Sequence, residues 1–158
     1  MKKDEFINLH QNYLNDYIKF ADGKALAILS INAFVLKFNF SKLSLNLNST
    51  EMFFHFIAYI LLMFTIIMSA FVVYPRTNNK SSEGIIFWDN ISKMKEKEFI
   101  NKINFETENE LQEKLIQQNY FLAKTASTKY AILRIIFFIS ACGYFCLLVT
   151  SIFRAIDS

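Results

Sequence analysis

Turn-forming residues are scarce in this chain, which holds three glycines and one proline in 158 residues. So few tight-turn positions exclude a β-barrel or a β-sandwich, whose many short strands need frequent turns. Histidine and cysteine are as rare, with two of each. His10 and His55 lie in different regions. Cys142 and Cys146 sit four apart in an apolar segment with no further His or Cys beside them, so no metal centre is expected and the cysteines read as small packing residues. No glycine-rich phosphate loop is present. The acidic sets Glu96/Glu98 and Glu106/Glu108/Glu110 lie among lysines, as solvated helix surface does, and Glu110 has the spacing of an i,i+4 pair with Lys114. Neither catalysis nor a cofactor is expected. The net charge of +3 is too small for a nucleic-acid polymer, which takes a dense basic stripe. Lys2 and Lys3 have no apolar core directly behind them, so no cleaved signal peptide is expected.

What the chain has in quantity is Phe, 18 residues, with seven Tyr. The segment 52–74 carries no charge over its 23 residues and stops at Pro75 and Arg76. As a helix it would be about 34 Å long, enough to cross the hydrocarbon core of a bilayer. A second uncharged run, 135–153, is bracketed by Arg134 and Arg154, which can reach the headgroups. A third, 25–36, holds only 12 residues between Lys24 and Lys37. It extends to a span over 25–40 if Phe20, Ala21 and Phe38 to Phe40 lie in the interface. The expected architecture is an all-α membrane protein of three transmembrane helices (25–40, 52–75 and 135–153). Cytoplasmic helical extensions, an amphipathic helix over 1–24 and a helical region over 76–134, would form a bundle.

Charge placement orients this arrangement. Segment 76–134 carries ten Lys and Arg and segment 1–24 carries four, against two in 37–51 and Arg154 alone in the tail. The positive-inside rule puts the N-terminus and the middle segment in the cytoplasm, with the short loop and the C-terminus outside. Sequons at Asn39-Phe40-Ser41 and Asn48-Ser49-Thr50 fall in or near the outer loop.

Within the cytoplasmic parts, Phe6, Leu9, Tyr13, Tyr17 and Phe20 form one apolar stripe leading into the first span. After the polar turn 76–84, an amphipathic segment starts at Ile85 to Trp88 and ends near Ile103. Thr107 and Glu110 have capping-box spacing. Leu111, Leu115, Gln118, Leu122, Thr125, Lys129 and Ile132 then follow steps of three and four, a heptad-like seam. No Pro or Gly interrupts it before Gly143, so one helix is expected to run unbroken into the last span.

The candidate functional residues lie where these helices meet the membrane. Asp22 and Lys24 precede the first span, and Lys129, Tyr130 and Arg134 precede the last. One reading is ion pairing across helices and contact with lipid headgroups. The other is an anion pocket in which Lys24, Lys129 and Arg134 meet a phosphate while Tyr130 or Trp88 stacks on a base, with Asp22 and Gln118 as supporting polar groups. Trp88 by itself reads as an interfacial anchor. Inside the spans, His55, Tyr59, Thr65 and Ser69 share one face, and Ser140, Gly143, Tyr144, Thr150 and Ser151 share another. Such faces suit helix–helix contact, or a weakly polar lining formed when several copies assemble. His55 is expected near the outer boundary, within reach of water.

Five short stretches stand in a particular order. They are Ala21-Asp22-Gly23-Lys24-Ala25, Tyr74-Pro75-Arg76, Phe87-Trp88-Asp89-Asn90-Ile91, Gln118-Asn119-Tyr120 and Lys129-Tyr130-Ala131-Ile132-Leu133-Arg134. In that order they resemble the transmembrane effectors of Pycsar antiphage systems, over nearly the whole chain. The resemblance implies a membrane effector of the bacterial plasma membrane whose partner cyclase makes cCMP or cUMP on phage infection. The effector binds the cyclic nucleotide, and the membrane is compromised. Three spans cannot enclose an aqueous pore alone, so a homo-oligomer in the lipid bilayer is expected. The lack of charge within the spans favours a non-selective lesion over an ion-selective channel. Two other readings remain. One is a non-gated helical scaffold that recruits a partner. The other is a two-span SLATT-type effector answering another nucleotide messenger, which the final span and the stretch 129–134 disfavour.

Overall fold

The computed structural model describes residues 2–40, 49–74 and 85–156. All regular structure among them is helical: α1 (Lys3–Asn39), α2 (Thr50–Val73), α3 (Trp88–Ile91), α4 (Glu96–Phe105) and α5 (Glu108–Ile156). The Asn48 sequon, the outer loop beyond Phe40, Pro75 and the polar turn 76–84 lie outside the described residues. By length and hydropathy α2 and α5 can each cross a membrane, and α1 does not qualify. Two candidate spans therefore stand where three were expected. The reason is the short reach of 25–36 between Lys24 and Lys37.

Local signals account for the helix limits. Asp4 and Glu5 open α1 and Lys37 falls in its last turn, each sign at the pole the macrodipole favours. Ser49 caps α2, its hydroxyl accepting from the Met52 amide at 3.2 Å. At the other end Tyr74 turns to an extended conformation, as the residue before a proline does. The capping box forms at α5. The Thr107 amide donates to Glu110 Oε2 at 2.8 Å, and the Glu110 amide donates to Thr107 Oγ1 at 3.4 Å. The Thr107 amide, and then its hydroxyl, hold the Glu110 carboxyl below the usual value of 4.5. Lys114 bonds Glu106 instead of Glu110. The single segment expected from Ile85 to Ile103 is two helices. They part at a turn where Ser92 Oγ donates to the Asp89 carbonyl at 2.9 Å and Lys95 is extended.

The chain divides into two compact units, and α1 and α5 each contribute to both. Unit 1 comprises Met1–Lys19 and Pro75–Ser127. It buries Ile7, Leu14, Ile85, Asn90, Asn119 and Ala126. The Asn119 amide nitrogen donates to the Ile7 carbonyl at 3.0 Å, tying α5 to α1. The aromatic stripe of α1 is not the buried one: Phe6, Leu9, Tyr13 and Tyr17 are exposed. Smaller aliphatic side chains one step along the helix take the seam, because they let neighbouring backbones come closer.

Unit 2 comprises Phe20–Tyr74 and Thr128–Ser158. Its apolar core is Ala21, Ala25, Val72, Leu133 and Ile136. On α2 the buried residues are His55, Ala58, Leu62, Thr65, Ser69 and Val72, strict steps of three and four. On α5 the buried line is Asn119 and Ala126 in unit 1, then Leu133, Ile136, Ser140, Gly143 and Thr150 in unit 2. It lies one position beyond the expected seam, whose Leu111, Leu115, Gln118, Leu122, Lys129 and Ile132 are half-buried flanks and whose Thr125 is exposed. Helices packed this closely need small side chains where their backbones approach. Gly143 makes such a contact: a Cβ placed on it would lie 2.9 Å from Leu62 Cδ2.

Candidate functional site

Of the expected site residues, Asp22, Lys24, Lys129, Tyr130 and Arg134 belong to unit 2, while Trp88 and Gln118 belong to unit 1. Asp22 on α1 and Lys129 on α5 form an ion pair, each partly buried. Pairing across helices, one of the two readings of these charges, is thus what the structure displays here. Lys24 is exposed, its ammonium 4.3 Å from the Phe20 ring centroid and 5.6 Å from that of Tyr130. Arg134, one turn beyond Tyr130, is exposed and has no ion-pair partner among the described residues. Lys24 and Arg134 are thus two exposed cations, Lys24 set against Tyr130 and Arg134 one turn further along α5.

In unit 1, Gln118 is half-buried. Its Oε1, like Asn119 Oδ1, is buried without a hydrogen-bond partner among the described residues. Trp88 opens α3, and its side chain lies outside the described residues.

A second polar constellation lies inside unit 2, and its central residue escaped the sequence reading. Asn32, 1% exposed, sits on α1 within the run 25–36. Its amide nitrogen donates to Thr65 Oγ1 on α2 at 2.7 Å and to Ser140 Oγ on α5 at 2.9 Å. Its Oδ1 accepts from the Tyr144 hydroxyl on α5. One carboxamide thus spends both donors and its acceptor on two other helices. Thr65 passes its own proton to the Leu62 carbonyl at 2.8 Å. The signal that would have found Asn32 is plain: it is the one carboxamide in 25–36. Ser69, one turn from Thr65, is fully buried, and its hydroxyl has no partner among the described residues.

His55 is more buried than expected, although it lies beside Asn39 and Arg154, at the ends of α1 and α5 expected to face outward. It is 2% exposed and stacks near Tyr59, with ring centroids 6.5 Å apart. It lines a cavity of about 210 Å³ together with Asn39, Thr150, Ser151 and Arg154. Arg154 Nε bonds Glu51 Oε1 at 2.8 Å, joining the end of α5 to the start of α2.

Comparison with known proteins bears on the whole chain. The Pycsar effector protein domain matches residues 8–156. A curated relative, the Pycsar effector protein SaPycTM of Staphylococcus aureus, is 67% identical over 158 residues, covering all of both chains. No solved structure matches.

Proposed function

Because the chain belongs to the Pycsar effector family of antiphage defence, we propose that it binds a cyclic pyrimidine nucleotide, cCMP or cUMP, and then breaches the membrane it occupies. A partner cyclase would supply the nucleotide on infection. The observation that carries the binding half is the grouping of Lys24, Tyr130 and Arg134 on neighbouring helices. A cyclic phosphodiester bears one negative charge, which two exposed cations can meet while a phenol ring faces the base. In this reading Lys129, paired with Asp22, ties α5 to α1 beside the site instead of meeting the phosphate itself.

The same reading makes α1 the third membrane helix, as Asn32 bonds groups inside both uncharged runs. Its orientation follows the basic segments inward, in the bacterial plasma membrane. Binding can drive a change only by favouring one arrangement of the helices over another. A site shared by α1 and α5 beside the apolar core of unit 2 is well placed for that. Several copies would assemble around the breach.

The direct experiment is co-expression with a pyrimidine cyclase while membrane potential and growth are followed. Depolarisation should track cyclic nucleotide accumulation. Normal growth at high nucleotide concentration would end this reading. Purified protein tested against a panel of cyclic nucleotides should prefer cCMP or cUMP. Lys24→Ala and Arg134→Ala should each weaken binding roughly tenfold, the loss expected for one charge-assisted contact.

A further inference from the structure

A breach that admits water needs a wettable lining, because water does not hold in an apolar constriction. The outward surface of the three apolar stretches in unit 2 offers almost none. Phe34, Ile60, Ile67, Phe71, Phe137 and Phe145 are exposed there. Among the described residues of the three apolar stretches, the exposed hydroxyls are Ser30, Ser151 and Tyr74, which closes its stretch beside Pro75, and Ser151 returns its proton to the Leu147 carbonyl at 3.0 Å. The wettable groups are inside. Asn32, Thr65, Ser69 and Ser140 are all buried, with the Tyr144 hydroxyl of α5 bonded to Asn32.

From this distribution we infer that the Asn32 cluster is both the latch and the lining of the breach. Bonded to one another, Asn32, Thr65, Ser140 and Tyr144 hold the three helices in register with their own polar groups turned inward. Parted, they and Ser69 become the surface that water wets. The inference rests on the membrane-breaching function proposed above and adds which residues carry it.

The physical case has two halves. A carboxamide that bonds two neighbouring helices fixes register, as a buried Asn does in a coiled coil. Interhelical hydrogen bonds of this kind contribute modestly each, so three of them can hold an equilibrium that a ligand is still able to reverse. Ser69 adds a hydroxyl that is satisfied only when water or a moved neighbour reaches it.

The test uses full-length protein in proteoliposomes loaded with a small dye, with cCMP and cUMP as probes. The native thiols Cys142 and Cys146 are replaced by Ala so that an introduced thiol reports alone. With nucleotide present, Ser69→Cys should react with a charged, water-soluble thiol reagent at least roughly tenfold faster than without it. Phe71→Cys, on the lipid-facing side, should stay unreactive in both states. Without nucleotide, Asn32→Leu and Thr65→Val should raise basal dye leakage about tenfold, the change expected when one or two interhelical hydrogen bonds are lost.

If the protein with native spans leaks on nucleotide addition while Ser69→Cys stays unreactive, the lining lies elsewhere and the inference falls alone. If both latch variants leak no faster than the parent, or leak neither before nor after nucleotide while still bound to it, the cluster is only a structural clamp. If the parent never leaks, the proposed function fails first and takes the inference with it.

Discussion

At the scale of single residues, the two glycines within described helices have opposite meanings. Neither has a positive φ, so each occupies a conformation open to alanine. At Gly23 a Cβ would meet nothing within 4 Å. Gly23→Ala should therefore stabilise α1 by about 0.5–1 kcal/mol through the lost freedom of the unfolded chain. At Gly143 the same methyl would press on Leu62 Cδ2 and Cγ, at 2.9 and 3.0 Å, and Leu62 is fully buried. Gly143→Ala should cost about 1–3 kcal/mol as overpacking, partly offset by alanine's better helix propensity. Thermal unfolding in detergent should separate the two variants in opposite directions. The packing role of Gly143 was legible in the sequence, since it lay on a face of small and hydroxyl residues. Asn32 was not found because a single amide barely perturbs the hydropathy of a run read for length. Its meaning depends on Thr65 and Ser140, far away in the chain.

At the scale of elements, the sequence placed α2 and α5 well because charge, proline and capping residues all act locally. The capping box shows how far that reaches. Glu110's lowered carboxyl value gives a stabilisation present above the ordinary carboxylate range and lost as pH falls through the lowered value. Amide protection at the start of α5 should hold from neutrality down to about pH 4–5 and drop below it. Glu110→Ala should abolish that acid-side step and leave weaker protection at every pH. Protection unchanged across the acid range would show that the box does not govern the end of the helix. Seams were less legible. On α1 the eye follows Phe6, Leu9, Tyr13 and Tyr17, yet the helix buries Ile7 and Leu14. Periodicity marks an apolar side without saying which adjacent stripe neighbours will choose, and close approach favours the smaller residues.

The Asp22–Lys129 pair belongs to the same scale, since it joins α1 to α5. Lys129→Ala would leave a partly buried carboxylate without its partner, and about 1–3 kcal/mol should be lost from a charge-assisted bond. The exchanged double variant, Asp22→Lys with Lys129→Asp, restores opposite charges at the same two positions. It should recover most of that stability and also respond to nucleotide as the parent does. Recovery of stability without recovery of the response would return Lys129 to the ligand.

For the whole molecule, the number of membrane crossings decides which side each terminus occupies. Composition alone supports two crossings, α2 and α5. Two crossings would leave both termini on one side. Asn32 argues for a third by position: it bonds Thr65 and Ser140, which lie inside the uncharged runs 52–74 and 135–153. If those runs cross the bilayer, Asn32 lies at membrane depth, and α1 must reach that depth with it. The residues that follow Asn32 suit passage to the far interface, with Phe34, Phe38 and Phe40 exposed and Lys37 able to snorkel. The near interface has Lys24 at the start of the run and the Asp22–Lys129 pair beside it. A stretch too short to span alone can do so when neighbouring helices shield its polar group and aromatic residues extend its ends. Reporter fusions that are active on only one side of the membrane should therefore place the N-terminus in the cytoplasm and the C-terminus outside. Both reporters signalling from the same side would leave α1 outside the count of crossings. They would also remove the lipid-shielding reason for the Asn32 cluster.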